Sequence, residues 1–196
     1  MVKLEIPGNA GKILVHICCA PCSGAILECM VDNGLRPAVF FSNSNIDSRE
    51  EFDKRLGELR RYCGSLGLDL VVDEYDHEGW LEAVKGLENE PERGARCLKC
   101  FRFRLGRAAA FAADNGFDLL TTSLASSRWK SLEQVDKAGS DAVGECREKG
   151  CVLEWWPRNW RRDGLQPRRD EIIREQGFYN QTWCGCEFSH RKEGND

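Results

Sequence analysis

The sequence predicts an α/β domain in which a parallel sheet is flanked by helices. Two observations predict it: short apolar runs alternate with longer amphipathic ones, and each apolar run has the length of a buried strand. The chain has 196 residues, of which 41% are hydrophobic, so one domain with a proper core is expected over residues 1–196. Ligands of such folds bind beyond the carboxyl ends of the strands.

The first half of the chain predicts three strands separated by two helices. "KILVHI" predicts a buried strand, and "SGAILECMVDNG" predicts the helix that follows it. "PAVFFS" predicts the second strand. "DSREEFDKRLGELRRYCGSLG" predicts a helix, because its acidic residues come early and its arginines come late, as the helix dipole favours. "LDLVVDEY" predicts the third strand.

The second half continues the alternation and then becomes irregular. "HEGWLEAVKGLE" predicts a helix, and "CLKCFRFRLGRAAAFAADNG" predicts a longer one after the loop "NEPERGAR". "FDLLTTSL" predicts the fourth strand, with a further helix from about Leu132. From about residue 151 the chain predicts an irregular, aromatic segment with one short helix over residues 170–176. We expect this C-terminal segment to pack over the active edge of the sheet.

Cysteine usage indicates the compartment and the chemistry. The eleven cysteines are an odd number, so complete internal pairing would leave one over. The N-terminal residues lack the charged start, apolar run and cleavage site of a signal peptide, and no apolar stretch approaches the length of a membrane span. We therefore expect a cytoplasmic protein without a membrane partner, whose cysteines serve metal binding or redox chemistry.

Seven of the cysteines lie in three short groups. We call these groups the strand cysteines (Cys18, Cys19 and Cys22), the helix cysteines (Cys97 and Cys100) and the C-terminal cysteines (Cys184 and Cys186). The strand cysteines follow the first strand. The helix cysteines are three residues apart at the start of a helix, which puts both sulfurs on one face and is expected to lower their pKa. Gly185 would let the backbone bend tightly around a ligand.

These groups are consistent with a four-thiolate site for zinc or an iron–sulfur cluster. Adjacent Cys18 and Cys19 are unusual for structural zinc, which favours a cluster. A dithiol redox pair and plain buried cysteines remain the alternatives. The isolated cysteines are predicted to be small buried hydrophobic residues: Cys29, Cys63, Cys146 and Cys151.

Four motifs resemble the cobalamin-independent epoxyqueuosine reductases of the QueH type: "HICCAPCSG", "ERGARCLKCFRFRL", "TTSLASSRWK" and "FYNQTWCGCEFS". They occur in the family's order and span residues 16–189. The chain departs from the family's "N-P-N-I" pattern after the second strand, where it reads "SNSNI" and Ser44 replaces the proline.

The resemblance implies a fold related to the adenine-nucleotide α-hydrolase (HUP) group. It also implies removal of the epoxide oxygen from epoxyqueuosine at the wobble position of a tRNA with a GUN-type anticodon, the last step of queuosine synthesis. The implied cofactors are a [4Fe-4S] cluster on Cys18, Cys19, Cys97 and Cys100, and an additional mononuclear iron on Cys184 and Cys186. Cys22 and Asp76 are further candidates at that iron, and Asp76 is equally well interpreted as an exposed loop residue.

Conversion of an epoxide to an alkene consumes two electrons and two protons. No side chain supplies electrons at a useful potential, so a redox metal and an unidentified electron donor are expected. An iron with an open position would act as a Lewis acid on the epoxide oxygen. His16 and Tyr179 are candidate proton donors, although the apolar surroundings of His16 favour a core position.

Contacts with RNA are expected despite a net charge of -4. Residues 155–169, "WWPRNWRRDGLQPRR", combine five arginines with three tryptophans, which suits base stacking and phosphate contact. A solvated loop with tryptophans in the core fits the same composition. Two candidates for RNA binding, Arg128 and Lys130, lie at or just after the end of the serine-rich turn "TSLASSR". The other candidates lie in residues 155–169: Arg158, Trp160 and Arg161, together with Trp156 and Arg162.

Two other classes of function compete with a reductase. In a zinc-binding RNA module, the cysteines would stabilise the fold and no catalysis would follow. In a thiol–disulfide oxidoreductase, the helix cysteines would act without metal. ATP-dependent tRNA thiolation, a neighbour by fold, would need a glycine- and serine-rich loop after the first strand, where this chain has cysteines.

Overall fold

The computed structural model describes residues 2–8 and 11–189. The strands are Ile13–Ile17 (β1), Ala38–Phe41 (β2), Leu70–Val72 (β3), Leu119–Thr122 (β4) and Glu154–Trp155 (β5). The α-helices are Ala20–Asp32 (α1), Arg49–Leu66 (α2), His77–Val84 (α3), Ala95–Asp114 (α4), Leu132–Glu148 (α5) and Leu165–Gln176 (α6). Short 3-10 helices cover Ser123–Ser126 and Glu187–Ser189.

The strands form one all-parallel sheet in the order β3-β2-β1-β4-β5. β1 lies at its centre, where Val15 is opposite Val39 of β2 and Thr121 of β4. All five residues of β1 are buried, because helices cover both faces of a parallel sheet. This architecture confirms the predicted α/β class and agrees with the HUP-type fold that the resemblance implies.

Helix boundaries follow local capping chemistry. The Ser48 hydroxyl accepts a hydrogen bond from Glu51 N at the start of α2, and Ser131 does the same for Gln134 N at the start of α5. α1 begins earlier than predicted, directly after Cys19, with Pro21 in its first turn, where a missing N–H costs nothing. The strand cysteines therefore span the junction between β1 and α1.

The C-terminal part differs most from the prediction. β5 is absent from the predicted elements, because its two residues are too few for a periodic pattern to show. α6 begins at Leu165 rather than at residue 170, since Pro167 in its first turn is compatible with a helix. β3 is shorter than expected because Asp73 ends it, with its carboxylate hydrogen-bonded to Ser42 and Arg107.

His16 in β1 is fully buried between β2 and β4. Its Nδ1 lies 2.7 Å from Thr122 Oγ1, and its Nε2 lies 3.0 Å from the Ser42 carbonyl. Burial, together with the positive charge of Arg104, lowers the pKa of His16 to about 3, so the ring is neutral at physiological pH. The expectation of a core histidine is confirmed.

Among the described residues, no helix combines the length and the apolar character that crossing a membrane requires.

Candidate metal centre

A cavity of about 760 Å³ opens at the carboxyl edge of the sheet, beyond β1 and β4. Six cysteines from all three groups line it: Cys18, Cys22, Cys97, Cys100, Cys184 and Cys186. The seventh, Cys19, is adjacent, with its sulfur 3.8 Å from that of Cys18. The fold thus brings together thiols that are up to 168 residues apart in sequence, from Cys18 to Cys186.

The strand cysteines form a compact set of donor atoms. Their three sulfurs lie within 4.8 Å of one another. Tetrahedral thiolates at about 2.3 Å from one metal ion are roughly 3.8 Å apart, so this group has the spacing of ligands around a single ion, and thiolates on separate irons of a cluster would have to spread apart. Ser123, after β4, fixes the position of Cys18: its hydroxyl accepts a hydrogen bond from Cys18 N and contacts Cys18 Sγ at 3.4 Å.

The three strand cysteines differ in their pKa values. Hydrogen bonds from the thiols of Cys19 and Cys22 hold the pKa of Cys18 well below its usual value. Burial and the negative charge on Cys18 raise the pKa of Cys19. The hydrogen bond to Cys18 is the main cause that raises the pKa of Cys22 to about 12. The three thiols share their protons, and a bound cation would displace them because metals bind the thiolate form.

The helix cysteines are placed by the start of α4. Cys100 is buried and Cys97 is half-buried, and the Cys97 sulfur accepts a hydrogen bond from Arg93 N at 3.3 Å. The expectation that the helix N-terminus lowers their pKa is wrong. Burial raises the pKa of Cys97 to about 11 and also raises that of Cys100, because a thiolate loses more hydration here than the helix terminus restores.

The C-terminal cysteines reach the cavity on a segment that is anchored by its backbone. Arg55 Nη1 donates to the Cys184 carbonyl at 3.1 Å, and Asp47 N donates to the Gly185 carbonyl at 2.9 Å. Gly185 has a φ of 105°, in the region that favours glycine. Burial raises the pKa of Cys186 to about 12. The tight bend expected at Gly185 is confirmed, and it lets both sulfurs line the same cavity.

Gly185→Ala is expected to lower the thermal unfolding midpoint by roughly 2–10 °C and to reduce bound metal, because strain of about 1–3 kcal/mol is added at this bend. A β-carbon there would lie 3.1 Å from both Arg55 Nη1 and Ile46 Cγ1. Gly64→Ala in α2, where a β-carbon meets no atom within 4 Å, is the control and should be neutral or slightly stabilising. Calorimetry and metal analysis of both variants test this; an unchanged Gly185→Ala protein would contradict it.

Buried cations surround the thiols. Arg104 donates to Asn43 Oδ1 at 2.5 Å and to the Ser42 carbonyl at 3.2 Å, and Arg96 donates to backbone carbonyls, including that of Glu88 at 2.7 Å. Both are almost fully buried, and the ion pairs of the described residues include neither. A buried guanidinium without a carboxylate partner favours an anion, so the cavity suits thiolates or a negatively charged cluster.

The Asp76 carboxylate is engaged by other residues at the start of α3. Its carboxylate accepts a hydrogen bond from Gly79 N at 2.9 Å as the N-cap of α3 and lies 3.7 Å from Arg107 Nη1. It is not among the described residues that line the cavity. Ser44, in the position of the family's proline, ties the neighbouring turn to this segment, since its hydroxyl accepts from Asp76 N at 3.2 Å.

The residues predicted to bind RNA separate into two sets. Arg128 and Lys130 line the cavity. Arg158 pairs with Asp163 at 2.8 Å, and Arg161 donates to the Lys130 carbonyl at 2.8 Å, so both make contacts within the chain and lie outside the cavity lining.

The prediction that Trp160 stacks on RNA is wrong, because its side chain is 0% exposed and packs edge-on against Trp156, which is also buried. Composition could not show that these rings belong to the core.

Two residues that line the cavity, Arg169 and Trp129, were not among the predicted RNA-binding residues. Trp129 lies inside the motif "SSRWK" between two predicted RNA-binding residues, and that position was the available signal.

Comparisons with known proteins agree on one family. A sequence model of the family described as "Epoxyqueuosine reductase QueH" matches residues 13–192, a range that contains all three cysteine groups. A protein of that name from Acinetobacter baylyi is 40% identical over 190 residues, which cover 97% of this chain and 85% of the relative. The protein of the same name from Haemophilus influenzae is 39% identical over 96% of this chain and 76% of the relative. The one from Thermotoga maritima is 29% identical over 91% of this chain and 90% of the relative.

Proposed function

The chain belongs to the epoxyqueuosine reductase QueH family, and we propose that its cysteine-lined cavity is where the epoxide of tRNA-bound epoxyqueuosine is reduced. The protein is an oxidoreductase of tRNA modification, and its reaction is the last step of queuosine biosynthesis. The observation that supports the location of the site is the convergence of six cysteines from three distant segments on one cavity. Since tRNA is modified in the cytoplasm, we infer that the protein acts there.

We propose that Cys18, Cys19, Cys97 and Cys100 hold a [4Fe-4S] cluster and that Cys184 and Cys186 hold an additional iron. Cys22 lines the cavity beside Cys18 and is the better further ligand, because the Asp76 carboxylate is engaged at the start of α3. When bound, the cluster would supply electrons and the additional iron would polarise the C–O bond of the epoxide. The soft thiolate donors suit both groups.

The surrounding residues favour a nucleotide as the substrate. A volume of about 760 Å³ lies in the range of small-molecule pockets and accommodates one modified base. Lys130 is half-buried in its wall. Burial disfavours its charge, but the neighbouring Cys184, Cys18 and Cys22 outweigh burial and raise the pKa of Lys130. Because Lys130 lines the cavity, we propose that its ammonium group also holds a phosphate or the polar edge of the base.

Metal analysis and turnover test this function together. Protein purified without oxygen should contain about four sulfides and about five irons per chain, and little zinc. With a chemical reductant in place of the unidentified electron donor, it should convert epoxyqueuosine tRNA to queuosine tRNA, which nucleoside mass spectrometry detects. Zinc without sulfide would remove the electron carrier, and the proposed reduction at this cavity with it.

A further inference from the structure

One of the residues that line the cavity is an exposed tryptophan. Trp129 is 56% exposed and lines the cavity. The other large hydrophobic side chains that are exposed in the described part of the chain are Val72 and Val152, and neither lines the cavity. Exposure of a single indole is ordinary, but Trp129 is the one of these three exposed side chains that lies in the wall of the cavity, where a substrate would meet it.

The backbone under Trp129 is held by two guanidinium groups. Arg93 donates to the carbonyls of Arg128 at 2.7 Å and of Trp129 at 3.1 Å, and Arg161 donates to the next carbonyl, that of Lys130, at 2.8 Å. Arg93 itself has a φ of 66°, a conformation that costs free energy for a residue other than glycine. Three consecutive carbonyls are thus held in place, which fixes the backbone that carries the exposed indole.

The charges around this ring suit RNA. The Arg128 guanidinium lies 4.9 Å from the centre of the Trp129 ring, and Lys130 lines the same cavity. Arg169 lines it too, paired with Asp170 at 2.8 Å, and basic side chains outnumber the acidic Glu92 and Asp170 in the lining. Aromatic rings flanked by arginines bind unpaired bases by stacking and hold the adjacent phosphates. A protein docking surface would instead need a cluster of apolar side chains at its centre, and the exposed valines lie elsewhere.

We propose that Trp129 stacks on the unpaired base next to the wobble nucleotide of the anticodon loop. This inference rests on the proposed function, because it assumes that the wobble base enters the cavity. Stacking of the neighbouring base would hold the loop open and keep the backbone against Arg128 and Lys130. Trp129 thereby takes the role that composition assigned to Trp160.

The experiment uses the metal-containing enzyme and three variants: Trp129→Ala, Trp129→Phe and, as the control, Val152→Ala, at a residue that is 78% exposed and does not line the cavity. The probe is an anticodon stem-loop RNA with guanosine at the wobble position, and its Kd is measured by fluorescence anisotropy. We expect Trp129→Ala to weaken binding by about 5- to 150-fold, as loss of one stacked base does. Trp129→Phe should recover most of the affinity, and Val152→Ala should match the wild type. Iron content should be unchanged in all three.

A second probe identifies the stacked base. Two RNAs carry an abasic site, one immediately before and one immediately after the wobble nucleotide. We expect the wild type to bind one of them more weakly than the intact RNA. Trp129→Ala should bind that abasic RNA no more weakly than it binds the intact RNA, because the stacking contact is already lost. Unchanged RNA binding by Trp129→Ala would overturn the proposal, as would a defect that appears only with a protein reductant, which would make Trp129 a docking residue for that protein. Turnover of epoxyqueuosine tRNA by the wild type, measured in parallel, tests the proposed function separately.

Discussion

Cys100→Ser is expected to remove the proposed iron–sulfur cluster and to lower turnover of epoxyqueuosine tRNA by at least about 10³-fold, because the proposed electron carrier would be lost. Cys100 is buried one turn after Cys97 at the start of α4 and lines the cavity. Serine has nearly the same size, so packing is kept, but its hydroxyl is a hard ligand that remains protonated near neutral pH. Iron and sulfide content, and the visible absorbance of anaerobically purified protein, measure the effect.

Cys63→Ser is the matched control. Cys63 is a buried thiol in α2, it does not line the cavity, and burial raises its pKa to about 12. We expect this variant to lose some stability while it keeps its iron, its sulfide and its turnover. A Cys100→Ser protein with the sulfide content and absorbance of the wild type would show that Cys100 is not a cluster ligand.

Much of the fold is predictable because its central strands are continuous apolar runs. β1, β2 and β4 are buried on both faces, so their sequences leave few alternatives. The two residues of β5 carry no period of their own, and they are defined by their pairing with Leu119 and Leu120 of β4. Elements defined by long-range pairing are therefore the ones that the sequence did not show.

The convergence of the cysteines was predictable only in part. The strand cysteines and the helix cysteines belong at the same edge, because parallel strands share their carboxyl ends and α4 leads into β4. The C-terminal cysteines reach that edge through backbone contacts of residues 184 and 185 with Arg55 and Asp47, which no local pattern encodes. The pKa of Cys97 was predicted to be lowered, but burial raises it. Burial depends on the whole fold, so the local sequence could not show this effect.

Tryptophan shows the same limit at the proposed RNA-binding surface. Trp160 and Trp129 both stand beside arginine in the sequence. Trp160 is buried and donates its indole N–H to Thr121 Oγ1 at 3.3 Å, whereas Trp129 is exposed on a loop that Arg93 holds. Composition identifies the residue types that bind RNA, and only the tertiary structure separates the ring that stacks in the core from the ring that is available to a base.

Cys184→Ser is expected to leave the proposed cluster in place and still lower turnover by about 10²–10³-fold, because the additional iron that we propose to polarise the epoxide would be lost. The Cys184 carbonyl accepts its hydrogen bond from Arg55 through the backbone, so the substitution keeps the segment anchored. The variant should retain about four sulfides and lose about one iron per chain. Cys151→Ser, at another half-buried cysteine that does not line the cavity, is the control and should retain both metal and activity. Loss of sulfide in Cys184→Ser would move this cysteine to the cluster, and full activity would show that no iron at Cys184 takes part in the reaction.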